Sequence, residues 1–377
     1  MALSKKIENL VLQVDPKNKL VKVLRNFGDS QKDVVIEELS CDKELFENKR
    51  IFEVLDSVLS AYLVDSPITN PTDVFFVLAD YFISNDIIVL PVLPPAKQKV
   101  ALWTELKKTY PHFETLHFAT TVLFKNKKRV VYGVSMAQKT VVQDCILIAK
   151  KYGLNLKNIS YSANAVSSGF LALGTKLKAD NFLILDIKEE KSSFIYVTNK
   201  KTATFFGLPI GQNVLSGKTL QFLPNYLDSG LAEKEVFGQT HLSAPSEPTF
   251  FAGTMDEIEA RSFQNVQKNK KEERIATEKF LSTFATHKTM LQKNFSVYLR
   301  HINAIKDVFE EYGLPKLEAV VVNLPNEFLP AIENTGLSVP ITSMEAEFAE
   351  PSLLAQFLDL FGMIYSGKFN SEQNFLN

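Results

Sequence analysis

A strand-turn-strand pattern that occurs twice, near residue 10 and again near residue 181, constrains this chain more than any other feature. Leu10–Val14 and Leu20–Leu24 are short apolar runs on either side of Asp15-Pro16-Lys17-Asn18-Lys19, a stretch rich in turn-forming residues. A third strand is expected at Asp33–Glu37, followed by a helix over Lys43–Leu63, where Leu45, Phe46, Ile51, Phe52, Leu55, Val58, Leu59 and Leu63 fall at helical spacing. The second occurrence reads Asn181–Asp186, then Ser193–Val197 and Thr202–Phe206 turning at Asn199-Lys200, and again helices follow. A meander followed by helices, made twice, predicts an α/β chain with two similar halves.

Residues 80–158 read as a module of their own. Tyr81–Ile83 and Ile87–Leu90 are expected as two strands around Ser84-Asn85-Asp86, with a helix at Lys97–Tyr110. A hairpin over Thr115–Ser135 turns at Lys125–Lys128, and a helix at Ala137–Tyr152 ends at Gly153. A helix of small residues follows at Ala163–Leu173. In the second half, residues 226–275 are polar, carry Pro245 and Pro248, and include the mixed-charge run Lys268–Arg274. They are expected to form a mobile insertion. Helices at Glu278–Asn294 and Tyr298–Tyr312, a strand at Leu317–Asn323, a short helix at Glu327–Asn334 and a last helix at Pro351–Tyr365 complete the reading. The domains are thus 1–175 with module 80–158, 176–365 with insertion 226–313, and a tail at 366–377.

Composition removes several classes of function. Lys plus Arg total 42 and Asp plus Glu 43 among 377 residues, so no global basic field gathers nucleic acid or acidic lipid. Two cysteines, Cys41 and Cys145, cannot build a disulfide framework, and no apolar run reaches the length of a membrane span. These features predict a cytoplasmic protein. The five histidines have no metal-ligand spacing, and no P-loop, Gly-x-Ser-x-Gly or Gly-x-Gly-x-x-Gly occurs. Glycine is scarce, at 15 residues, which leaves few places where backbone can wrap a phosphate.

The order of features from Thr72 to Leu220, with Asp186 opening a hairpin and Gly207-Leu208-Pro209-Ile210-Gly211 closing it, resembles the actin-like ATPase fold. It is most similar to the PilM family of type IV pilus assembly proteins, and also to FtsA and the cytoplasmic domain of GspL. The resemblance implies two α/β domains, a small module in the first, and a nucleotide site at Asp15, Asp186, Ser192 and Gly211. The chain departs from that site's usual chemistry. Pro16 removes an amide donor from the first turn, Lys188 stands where a glycine is usual, Glu189 and Glu190 would face phosphate charge, and Asn323-Leu324-Pro325 replaces a Gly-Gly turn. These four are therefore read as vestigial, with no ATP or Mg²⁺ cofactor, and Asp186 is expected to pair internally with Lys188 or Lys191.

The resemblance further implies a non-enzymatic scaffold of a type IV pilus or type II secretion-like platform, peripheral to the inner membrane through a PilN-like membrane partner. A short peptide of that partner is expected in a groove lined by Tyr81, Phe82, Ile83, Val89, Leu90, Phe118 and Val122. Asn374-Phe375-Leu376 resembles the partner's Asn-Leu-Leu-type anchor, so the tail is expected to dock too, in a neighbouring copy if the chain self-associates. The alternatives are an active actin-like ATPase, in which Asp15, Asp186 and Ser192 hold Mg²⁺ and phosphates, and an FtsA-like filament former. The latter needs a basic amphipathic end, whereas Ser366–Asn377 has one Lys.

Overall fold

A computed structural model describes residues 8–15, 19–26, 34–41, 50–68, 72–199, 201–208, 210–217, 262–348, 357–369 and 371–376. Of the expected insertion at 226–275, residues 226–261 lie outside the described residues and 262–275 begin a long helix; the turn at 16–18, Pro209, residues 43–49 of the first expected helix and residues 351–356 of the last also lie outside them.

The two meanders become two five-stranded sheets of one design. The first joins β1 (Glu8–Asp15), β2 (Leu20–Asn26), β3 (Val34–Ser40), β4 (Thr72–Leu78) and β8 (Asn155–Tyr161) in the order β3-β2-β1-β4-β8. The second joins β9 (Asn181–Ile187), β10 (Ser192–Thr198), β11 (Lys201–Leu208), β12 (Ala319–Asn323) and β13 (Ile341–Ser343) as β11-β10-β9-β12-β13. In each sheet the first three strands form an antiparallel meander and the last two run parallel to the first. This is the duplicated core of the actin-like fold.

Alternation along the strands feeds both faces of each sheet. Leu10, Leu12, Val74 and Phe76 face α1 (Ile51–Asp65) and α3 (Lys139–Lys151), which bury Val54, Leu55, Leu59, Val142 and Ile148. Val11, Leu24, Phe75 and Val77 face α8 (Leu358–Phe369) through Leu360, Phe361 and Met363. In the second sheet, Phe182, Ile184 and Val321 share the larger core with Phe170 of α4 (Ser162–Ala172). Leu183, Leu185, Val320 and Val322 face the long helix α6 (Ser262–Tyr312). That helix is continuous where a break was expected. Leu291, Phe295, Tyr298, Ile302 and Phe309 all fall on its buried face at helical spacing, and Phe295-Ser296-Val297 contains no residue that stops a helix.

The module is a three-stranded antiparallel sheet, β5-β7-β6, made of β5 (Ile83–Pro91), β6 (Leu116–Lys125) and β7 (Arg129–Gln138). α2 (Pro95–Thr109) closes one face over Ile88, Leu90, Val130 and Tyr132. The expected pair of strands at 81–90 is one strand, because Ser84-Asn85-Asp86 continues the ladder opposite Met136, Ser135 and Val134. Two further boundaries need correction. α3 packs on α1, and β8 pairs with β4, so 139–158 belongs to the first sheet's layer rather than to the module. α8 likewise packs on the first sheet rather than the second, because its apolar face matches Val11, Phe75 and Val77.

α4 and α8 cross at very close range. A Cβ added to Gly362 would lie 1.8 Å from the Ala165 carbonyl oxygen and 2.5 Å from the Gly169 nitrogen. Only glycine permits that approach.

Candidate functional site

Two places bring chemically loaded side chains together. The first is the cleft between the two sheets, where Asp15 at the end of β1 and Asp186 near the end of β9 occupy matching positions in the duplicated halves. Gln13, Asp15, Lys22, Ser162, Lys188 and Asp359 line a cavity of about 110 Å³, below the ~300–1,000 Å³ of typical small-molecule pockets.

The buried Asp186 accepts a hydrogen bond from Asn323 Nδ2 at 2.8 Å. Lys188 reaches back over it, its Nζ 3.7 Å from Asp186 Oδ2 and 3.2 Å from Asp359 Oδ2. Burial pushes the Asp186 carboxyl above the usual range, opposed by Lys188 and by the Asn323 bond. Asp359 is also opposed by burial, yet Lys188 and Lys22 together hold it below its ordinary value. Burial opposes the charge on Lys188 as well, but Asp359, Asp186 and Asp80 raise its pKa overall. The ammonium is therefore the local counter-charge of this acidic cleft.

The β9–β10 turn is clasped onto the short helix α5 (Gln212–Leu215). Lys188 N–H donates to the Lys191 carbonyl at 2.9 Å, closing the turn. Gln212 and Asn213 N–H donate to the Lys188 and Glu189 carbonyls at 2.9 and 3.0 Å. Gly211 permits this contact, since a Cβ there would sit 2.3 Å from the Lys188 carbonyl oxygen. The leading amides of α5 are thus committed to the protein's own carbonyls. Ser192 is buried and donates to the Ile210 carbonyl at 2.5 Å. Of the four residues expected at a vestigial nucleotide site, Asp15 lines the cavity and Asp186 is buried under Lys188, while Ser192 and Gly211 hold the clasp. The sequence reading did not find Gln13, Asp80 or Asp359, and it met Asn323 only within the segment that replaces a Gly-Gly turn. Asp359 carried a signal, as the acid between Leu358 and Leu360-Phe361. Beside the clasp, Gln212, Asn213, Ser216, His287, Glu327 and Phe328 line an open hollow of about 410 Å³.

The second place is the seam between the module and β8, the edge strand of the first sheet. Gln373 fills its polar end. Gln373 Oε1 accepts from Tyr161 OH at 3.0 Å and lies 3.1 Å from Ser135 Oγ, while Nε2 donates to Thr121 Oγ1 at 2.7 Å. The Gln373 carbonyl accepts from Ser160 Oγ at 2.8 Å. Asn374 Oδ1 accepts from Ile159 N–H at 3.2 Å, and Phe375 N–H donates to the Ile159 carbonyl at 2.9 Å. Phe375 is 2% exposed, its ring 6.4 Å from that of Tyr161, whereas Leu376 is 38% exposed. The Asn374-Phe375 anchor therefore docks on its own chain.

The residues expected to line a partner groove do not converge there. Ile83 and Phe82 pack on the first core, and Leu90 lies under α2. Phe118 stacks with Phe113 at 5.0 Å and meets Trp103 edge-on. Val89 and Val122 are exposed but stand on opposite faces of the module sheet, opposite the adjacent residues Val131 and Tyr132. Only the backbone of Tyr81 is described, in a short 3₁₀ turn over Asp80–Phe82. The seam is lined instead by Thr121, Ser135, Ile159, Ser160 and Tyr161.

No protein-family profile matches the chain, and no curated protein matches it in sequence. Among solved structures, a chain of a PilM–PilN type IV pilus biogenesis complex superposes with TM-score 0.55 and 12% identity, covering 98% of this chain and 99% of that one. The cytoplasmic domain of EpsL, an inner-membrane component of the type II secretion system of Vibrio cholerae, matches at TM-score 0.36 and 13% identity, over 57% of this chain and 76% of that one. MreB 5 of Spiroplasma citri bound to AMPPNP matches at TM-score 0.36 and 9% identity, over 96% and 95%. Over its full length the fold is thus similar to that of a chain of the PilM–PilN complex.

Proposed function

We propose that this chain is a non-enzymatic assembly scaffold, the PilM-like element of a type IV pilus or type II secretion-like inner-membrane platform, bound to a PilN-like membrane protein through a short peptide. The full-length likeness to a chain of the PilM–PilN complex supports the assembly role. Among the described residues no helix is long and apolar enough to cross a membrane, so attachment is assigned to the partner.

One observation carries the non-enzymatic half of this reading. Lys188 lies within 3.2–3.7 Å of two cleft carboxylates, where a nucleotide-bound cation would need them. A cation arriving there meets a resident positive charge, and a triphosphate meets Glu189 and Glu190 at the cleft wall. The α5 amides that could cradle phosphate are already bonded. Mg-ATP does not fit these residues. The hollow of about 410 Å³ beside the clasp favours the rival reading, an active actin-like ATPase. Isothermal titration of the full chain with Mg-ATP separates the two. The scaffold reading expects no heat of binding at micromolar concentrations, and a low-micromolar dissociation constant overturns it.

A further inference from the structure

We infer that the seam between β8 and the module is a peptide groove selective for an extended Gln-Asn-aromatic segment of a partner protein, and that the chain's own Gln373-Asn374-Phe375 is a resident competitor which that segment must displace. The inference rests on the adaptor reading only for the existence of a partner; the groove and its occupant are argued from geometry.

Each position of the segment is read by different chemistry. The buried Gln373 amide is engaged at both ends, its oxygen by Tyr161 OH and its nitrogen by Thr121 Oγ1. An aliphatic side chain in its place leaves both hydroxyls without this partner, and a carboxylate buries a charge among neutral groups. Asn374 uses its side-chain oxygen where a strand would use a carbonyl, accepting from Ile159 N–H, and Phe375 returns a backbone bond to the Ile159 carbonyl. Ile159 is thus paired on this side as in a ladder, which is strand-edge recognition. Phe375 supplies the buried aromatic anchor.

The backbone of the groove walls is held by pairings other than those to the occupant. β8 pairs with β4 from Asn155 to Tyr161, and Thr121 and Ser135 stand on strands held by the module's own ladders. The occupant is held lightly outside its three central residues, with Leu376 exposed and Glu372 meeting Lys201 at 3.2 Å on the surface. Only residue 370 separates α8 from Ser371, so the segment is presented at an effective concentration of order millimolar. Against a free peptide of roughly 10 μM affinity, a tethered competitor at that concentration weakens apparent binding about 100-fold.

The test uses the full chain and a fluorescein-labelled peptide of sequence Ser-Glu-Gln-Asn-Phe-Leu, followed by anisotropy. The Phe375→Ala chain is expected to bind the peptide about 100-fold more tightly than the unmodified chain. Thr121→Val in the Phe375→Ala background, and a peptide with Asn changed to Ala, should each lose at least tenfold. Equal affinity for the unmodified and Phe375→Ala chains, or no binding by a Phe375→Ala chain that melts as a folded protein, overturns the inference. Should that variant fail to fold, hydrogen exchange on the unmodified chain decides. Millimolar peptide should speed exchange within 371–376 while Ile159 stays protected, and unchanged exchange there refutes displacement. An ATP titration that finds tight binding would overturn the scaffold reading and leave this result standing.

Discussion

Replacing Lys188 by Met keeps most of the side chain's length and apolar stem but removes the ammonium from between Asp359 and Asp186. Breaking a buried pair by deleting one partner costs about 3–5 kcal/mol, because the other charge stays behind uncompensated. The structure argues for less. The Lys188 side chain keeps 39% of its exposure, so water screens part of the loss, while Asp359 and Asp186 keep only 8% and 6%. About 2 kcal/mol is expected. At roughly 2–4 °C per kcal/mol for a domain of 150–250 residues, the melting temperature at pH 7 should fall by about 4–8 °C.

The pH dependence tests the cause. Lys188 holds Asp359 below its ordinary value of 3.8. A depressed carboxyl contributes stability that is present above the unfolded value and is lost as pH falls through the folded one. In the Met variant both carboxyls rise and take up protons earlier, so the gap between variant and parent is widest near neutrality and closes below about pH 4. Scanning calorimetry from pH 3.5 to 7.5 measures it. A variant as stable as the parent at pH 7, or a deficit that does not change with pH, refutes the assignment of Lys188 as counter-charge to the cleft.

Gly362→Ala should destabilise the chain by about 3 kcal/mol, since its Cβ would meet the Ala165 carbonyl at 1.8 Å and backbone cannot yield as a side chain can; urea denaturation reads the loss, and a midpoint unchanged from the parent contradicts the helix contact described. Burial lowers the pKa of His117, with help from Lys139, and of His301. Below the unfolded value of about 6.5 the unfolded chain therefore binds more protons, and stability should decline from pH 7 to pH 5. Replacing both histidines by Gln should flatten that slope in thermal melts.

The duplicated meander was legible because hairpin strands announce themselves locally, by apolar alternation and turn residues at Asp15–Lys19 and Asn199-Lys200. β8 was not legible. Asn155-Leu156-Lys157-Asn158-Ile159-Ser160-Tyr161 carries polar residues at positions that end up buried, satisfied by partners more than 200 residues away: Ser366 bonds Asn158, and Gln373 bonds Ser160. The Asp186–Lys188 pair lay within reach of the sequence because its members are two residues apart. Asp359 and Asn323 reach the same cleft only through tertiary structure. The docking motif at Asn374-Phe375 was visible as a motif, but where it docks depends on the seam that β8 and the module create, and no local pattern encodes that.

The return of α8 to the first sheet has a consequence for synthesis on the ribosome. Val11, Phe75 and Val77 form the face that α8 covers, yet about 185 residues separate the end of α4 from the start of α8. At 5–20 residues per second, that face waits roughly 10–40 s for its cover after α4 has emerged. The first-translated half of the chain therefore finishes last, after the second sheet has had time to form. Ribosome-bound intermediates halted before Leu358 present this apolar surface to whatever chaperone is nearest.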